Sequence, residues 1–172
     1  MDFETKVLSR EISQMLWERQ QTLSTAESCT GGRISEAIIA TPGSSAYFKG
    51  GIVCYVDEIK ERLLGVSHET LETQTAVSEE VARQMVAGAC RTLGTDYAIA
   101  ATGIAGPGGG TKENPVGTIW LACGDGERFS TLQLTEDNGR DLNLLAATRK
   151  ALEMLSDFLK GSNEEETESL GV

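Results

Sequence analysis

The succession of helical and extended patterns predicts an α/β fold, a three-layer α/β/α sandwich on a five-stranded mixed sheet whose fourth strand is antiparallel. Two observations carry this expectation. Helical patterns separate the first three strand patterns, and strands joined by a crossover helix run parallel. The last three strand patterns follow one another without an intervening helix, so the fourth must turn back.

Taken in order, Phe3 to Arg19 reads as an amphipathic helix, with Val7, Leu8, Ile12, Met15 and Leu16 at helical spacing. A short strand at Thr22–Thr25 leads through Ser28-Cys29-Thr30-Gly31-Gly32 into a helix over Gly32–Ala40, which Thr41-Pro42-Gly43 breaks. The β-rich run Gly51–Val56 is a buried strand, and the helix Asp57–Leu64 after it stops at Gly65. His68 falls in a loop. Ser78, followed by Glu79 and Glu80, opens a helix that ends at Gly94, because a hydroxyl cap and first-turn acids suit its positive end. Asp96–Ala101 is a strand followed by the glycine-rich loop TGIAGPGGGTKENPVG. Strands Thr118–Cys123 and Arg128–Leu134 come next, then a final helix over Arg140–Leu159. Residues 1–160 make one domain; 161–172 are polar and acidic and read as a disordered tail.

Composition narrows the function classes. The chain has 172 residues and a net charge of −11, which argues against general nucleic-acid binding because phosphate neutralisation needs a basic surface. Four of these charges belong to Glu164, Glu165, Glu166 and Glu168, so a locally basic pocket for one small phosphate remains compatible with the balance. No apolar run approaches the roughly 20 residues that span a bilayer, and the N-terminal stretch lacks an apolar signal core. Cys29, Cys54, Cys90 and Cys123 form no CxxC pair, which fits a reduced, cytoplasmic setting. One histidine and no clustered ligands argue against a metal site.

Chemistry concentrates at the strand-to-helix junctions. Ser28 sits where a hydroxyl meets unpaired N–H groups at a helix start, and two following glycines let a ligand approach the backbone. With His68 as the only histidine, a conventional Ser–His pair is a poor fit, so the base is a lysine, a tyrosine or a carboxylate. Lys60, in the first turn after the strand GIVCYV, can project over the sheet end that carries Ser28, and Tyr55 leaves the same strand near that edge. A lysine base must be neutral. The plain reading of Lys60 is a solvated helix-surface cation. Cys29 is the rival nucleophile. The segment Thr102–Gly110 follows a strand and can bring N–H groups near an anion, although it is neither a Walker A sequence nor a dinucleotide fingerprint.

The segments AESCTGG (Ala26–Gly32), PGSSAYFKGGIVCY (Pro42–Tyr55), AVSEEVA (Ala76–Ala82), DYAIAATGIAGPGGG (Asp96–Gly110) and KENPVGTIW (Lys112–Trp120) together resemble the CinA C-terminal domain, over roughly residues 4 to 160. That family includes stand-alone nicotinamide-nucleotide amidases, and this chain looks like the single-domain form. The resemblance implies hydrolysis of the carboxamide of nicotinamide mononucleotide by a serine–lysine mechanism assisted by tyrosine, carried here by Ser28, Lys60 and Tyr55. Backbone N–H groups around Thr30 and Gly31, with Gly32 beside them, are the expected oxyanion donors. Phosphate and ribose are expected against Thr102, Gly103, Ala105 and Gly106, with Arg140 as a cationic contact. No cofactor is implied, and the expected assembly is a homodimer or higher homo-oligomer.

Four positions depart from the family pattern. Val56-Asp57 replaces a common Ser-Asn, which puts a carboxylate beside Lys60 and opposes its use as a base. Thr75 stands where a glycine is usual, and Leu144 where an arginine often lies. The alternative reading is a non-catalytic nucleotide-binding or protein-interaction module of the competence and damage-inducible type.

Overall fold

Five strands hydrogen-bond in the order β2-β1-β3-β4-β5. They are β1 (Leu23–Glu27), β2 (Phe48–Val53), β3 (Tyr97–Gly103), β4 (Ile119–Gly124) and β5 (Phe129–Leu134). Strand β1 pairs in parallel with both β2 and β3, β4 is antiparallel to β3, and β5 is antiparallel to β4. This is the mixed sheet the sequence predicts. The computed structural model describes residues 2–169. Helices α1 (Phe3–Arg19), α2 (Arg33–Ile39) and α6 (Arg140–Ser169) cover one face, and α3 (Asp57–Leu64), α4 (His68–Gln74) and α5 (Glu79–Leu93) the other.

Period-two alternation divides the sheet between two cores. Tyr97, Ile99 and Ala101 of β3 and Ile119, Leu121 and Cys123 of β4 join Ile12, Leu16, Ile34, Ile38, Leu144, Leu152 and Leu155. The opposite face contributes Ala26, Ala98, Ala100 and Ala122, small residues that let Val81, Met85, Val86 and Ala89 of α5 settle closely on the strands. Helix α3 hangs on α5 in turn. A side chain at Gly88 would strike the Leu64 carbonyl, so the two backbones touch there. Arg91 Nη2 donates to that carbonyl at 2.7 Å, and Thr92 Oγ1 donates to the Leu63 carbonyl at 2.9 Å. These contacts fix where the helix bearing Lys60 lies.

Several boundaries differ from expectation. Strand β2 starts at Phe48 instead of Gly51, because it is an edge strand whose better-covered side carries Phe48, Gly50 and Ile52. Its last link to β1 is the Cys54 N–H to the Glu27 carbonyl at 2.9 Å, so Tyr55 and Val56 lie beyond the ladder. His68 is not in a loop. It opens α4, whose N-cap Ser67 accepts the Thr70 N–H at 3.3 Å. This short helix buries only Leu71, so its sequence carries no periodic signal. Helix α6 continues past the expected end at Leu159 to Ser169, through most of the stretch read as a disordered tail; the remainder of that stretch lies outside the described residues.

Thr75, at the end of α4, has φ 64° and ψ 167°, a backbone region nearly restricted to glycine. Threonine there stores strain of about 1–3 kcal/mol. Leu144 is fully buried in the core against α1 and α2, where an arginine would lose its hydration.

Urea unfolding tests the strain at Thr75 and the α3–α5 contact at Gly88. Thr75→Gly should raise stability by about 1 kcal/mol, the relieved strain being partly offset by the greater freedom of glycine in the unfolded chain. Gly88→Ala should lower it by about 2 kcal/mol, because overpacking must push α3 off α5.

Candidate active site

The junction after β1 is built around a buried carboxylate. Every residue of β1 is buried, and the Ser28 N–H extends its pairing to the Ala101 carbonyl at 2.9 Å. The chain then turns through Gly31 (φ 59°) and Gly32 (φ 103°), conformations that suit glycine. Glu27 folds beneath α2. Its Oε2 accepts the N–H groups of Gly32 and Ile34 at 3.0 Å, and its Oε1 accepts the Ser35 N–H at 2.8 Å and the Ser35 hydroxyl at 2.7 Å. A fully hydrogen-bonded anion at the positive end of a helix is stable without water.

This arrangement changes the expected oxyanion donors. The Gly32 N–H is held by Glu27, and the Gly31 N–H donates to the Ser28 carbonyl at 3.1 Å. Among the described residues, the N–H groups of Cys29 and Thr30 have no oxygen acceptor; they lie against the Cys29 sulfur. Of the four N–H groups from position 29 to 32, those at 29 and 30 are the two not bound to oxygen.

A cavity of about 230 Å³ opens beside this turn, lined by Ser28, Cys29, Tyr55, Arg140 and the loop from Gly103 to Gly109. The Ser28 hydroxyl has no protein hydrogen-bond partner among the described residues. Tyr55, 60% exposed, stands on the rim. The loop wall is pinned from below. Ile104 exchanges bonds with Thr118 and Gly117 at 2.8 Å each, and a Cβ at Gly106 would collide with Val116. It is pinned from the side by the start of α6, where Arg140 Nη1 donates to the Gly106 carbonyl at 2.7 Å. Asn143 Nδ2 donates to the Ala105 carbonyl at 3.1 Å and to Asp137 at 2.9 Å. That contact, with the Gly139 N–H, holds the Asp137 carboxyl below its usual range. Thr102 lies outside the cavity wall, because its hydroxyl is spent on the Ala76 carbonyl at 2.8 Å.

Lys60 is not a surface cation. It is 1% exposed, among the largest fully buried side chains of the chain. Its Nζ donates to Asp57 Oδ1 at 3.2 Å, the only acceptor among the described residues, although an ammonium carries three donors. The lysine stands in the first turn of α3, which begins three residues after Cys54, whose N–H bonds the Glu27 carbonyl at the ends of β1 and β2. Lys60 is not among the residues that line the cavity.

Cys29 fares worse as a nucleophile. Burial pushes its thiol up to about 12, outweighing its own and the Thr30 N–H groups and the nearby Lys60 charge. His68 is exposed and bonded to Glu61 at 2.9 Å, a contact that raises its pKa, and it does not line the cavity. A larger hollow of about 330 Å³ lies between α1, α2 and α6, but its lining of Thr5, Arg33, Glu36, Asp141 and apolar neighbours holds no buried base. Among the described residues there is no cluster suited to a metal ion, and no helix is long and apolar enough to cross a membrane.

Sequence reasoning missed Glu27 and Asn143. Glu27 carried a signal, a carboxylate one residue before a helix-opening turn. Asn143 carried none, since one asparagine in a helical pattern does not reveal that it faces a loop.

Comparison with known proteins agrees with this architecture. The CinA C-terminal domain family matches residues 5–159. A CinA-like protein of Thermosynechococcus vestitus is 45% identical over 151 residues, covering 86% of this chain and 36% of the relative. One of Amoebophilus asiaticus is 42% identical, covering 92% and 38%. The chain thus spans little more than a third of these curated relatives. Among solved structures, the competence/damage inducible protein CihA from Agrobacterium tumefaciens superposes with a TM-score of 0.89 at 41% identity, covering 93% of this chain and 98% of its own. The competence-damaged protein (CinA) superfamily protein from Escherichia coli gives 0.85 at 36% identity, covering 90% and 91%. With this match over nearly its whole length, the chain belongs to the CinA C-terminal domain family.

Proposed function

We propose that the chain is an amidase that hydrolyses the carboxamide of nicotinamide mononucleotide, giving the corresponding acid and ammonia. The observation that carries the reading is the burial of Lys60 on α3, the helix that follows β2, the strand paired with the one leading into Ser28. A lysine withdrawn from water, with donor positions unfilled, is poorly explained as a structural cation.

In the proposed reaction, neutral Lys60 takes the Ser28 proton as Oγ attacks the carboxamide carbon. The N–H groups of Cys29 and Thr30 receive the developing oxyanion, each such donor being worth about 3–4 kcal/mol in the transition state. The C–N bond breaks as the proton returns from Lys60 to the departing nitrogen, with Tyr55 orienting or relaying it. Water, deprotonated by Lys60, then cleaves the acyl-serine and regenerates the hydroxyl. The phosphate lies against the Gly103–Gly109 loop, where Arg140 retains guanidinium donors beyond the one given to Gly106.

The ion pair between Lys60 and Asp57 favours a second reading, a nucleotide-binding module that does not turn over, since a carboxylate competes for the amine. Incubation with nicotinamide mononucleotide separates the two: ammonia and acid product support the amidase, whereas saturable binding without product supports the module.

Two variant tests bear on the residues. Ser28→Ala should lower kcat by about 10³-fold or more, and Lys60→Met by about 10²–10⁴-fold, with folding retained in both. Wild-type turnover in either would remove that residue from the mechanism. Cys29→Ala should remain active. With its pKa near 12, only about one Cys29 in 10⁴ is a thiolate at pH 8. The four buried thiols should therefore react slowly with a disulfide reagent at that pH, and all at once on unfolding.

A further inference from the structure

We propose that Asp57 is a positioning residue that restrains the base. It holds the Lys60 Nζ as an ion pair in the free protein; the pair is lost when Lys60 gives up a proton to become the base, and re-forms as Nζ takes the proton from Ser28. The inference rests on the amidase reading for its kinetic consequence, but the restraint itself is a property of the pair.

Three observations place Asp57 in this role. Its Oδ1 is the one protein acceptor within reach of Nζ among the described residues, at 3.2 Å. The pair is lopsided: the lysine side chain is 2% exposed and the aspartate 54%. The buried partner is therefore held by a carboxylate that water can also solvate. Asp57 is also two residues from Tyr55 on the cavity rim, so the same turn carries the rim and the restraint.

Other titratable groups stand on the elements around Lys60. From β1 and the turn after it come Glu27, whose carboxylate takes its hydrogen bonds from α2, and the Cys29 thiol. From the exit of β2 comes the Cys54 thiol, which burial pushes up to about 11. Helix α5 presents Gly88 and the Arg91 guanidinium to α3, both at its Leu64 end. On α3 itself, Glu58 faces Arg62 and Glu61 faces His68. Asp57 is thus the carboxylate in direct contact with the amine.

The sign follows directly. A neighbouring anion favours the ammonium over the amine, and only the amine can take the serine proton. Removing the carboxylate enlarges the amine fraction at neutral pH.

The test combines two readouts on the wild-type protein and on Asp57→Asn, Asp57→Glu and Glu58→Gln. The first is an NMR titration of lysine ¹³Cε, with the Lys60 resonance assigned by its loss in Lys60→Met. The second is the pH dependence of kcat and KM for nicotinamide mononucleotide. Asp57→Asn should titrate Lys60 at lower pH than wild type, raise kcat at pH 7 by about fivefold and leave KM within about twofold. Asp57→Glu should restore the wild-type profile, and Glu58→Gln should not change it. A Lys60 titration unmoved in Asp57→Asn overturns the restraint, as does an equal shift in Glu58→Gln. If the titration moves but no variant, wild type included, releases ammonia, the restraint stands and the amidase reading falls.

Discussion

An amine kept from water on the helix that follows the edge strand is the constraint around which the rest of this molecule is arranged. A buried lysine is costly unless something nearby uses or compensates its charge. Helix α3 holds it in place because α5 grips the last turn of α3 through Gly88, Arg91 and Thr92. Helix α5 can lie that close because the sheet offers it alanines. Composition of one sheet face thus reaches, through two helices, to the position of a single nitrogen.

Glu27 supplies the complementary constraint on the other side of the cavity wall. By accepting the N–H groups of Gly32, Ile34 and Ser35 it neutralises the positive end of α2, which would otherwise be open to an external anion. The N–H groups of Cys29 and Thr30 are left over, immediately after Ser28. In the proposed complex the ligand's phosphate is met at the glycine loop and Arg140, whose mutual contact ties the loop to α6. In this account the chemistry and the phosphate occupy different electrostatic environments although they share one cavity.

The fold was legible because its signals are repetitive. Strands without helices between them forced β4 to reverse. The short helix α4 was not legible, since a segment that buries only Leu71 has no period to detect. Within the site, Ser28 and Tyr55 could be placed at one sheet end from the junctions alone, and the structure brings both to the cavity with Arg140. The burial of Lys60 could not be read from its neighbours. Asp57, Glu58 and Glu61 around it give the polar pattern of an exposed helix, and only the docking of α3 on α5 encloses it. Which N–H groups are free was equally hidden, because it depends on where the Glu27 carboxylate folds.

A crystal structure of the Ser28→Ala variant with nicotinamide mononucleotide bound tests the central claim most directly. The account predicts the carboxamide carbon over residue 28, its oxygen on the N–H groups of Cys29 and Thr30, the Lys60 Nζ facing the space left by the missing hydroxyl, and the phosphate against the Gly103–Gly109 loop. A ligand seated in another hollow, or an Nζ walled off from residue 28 by packed side chains, would contradict it.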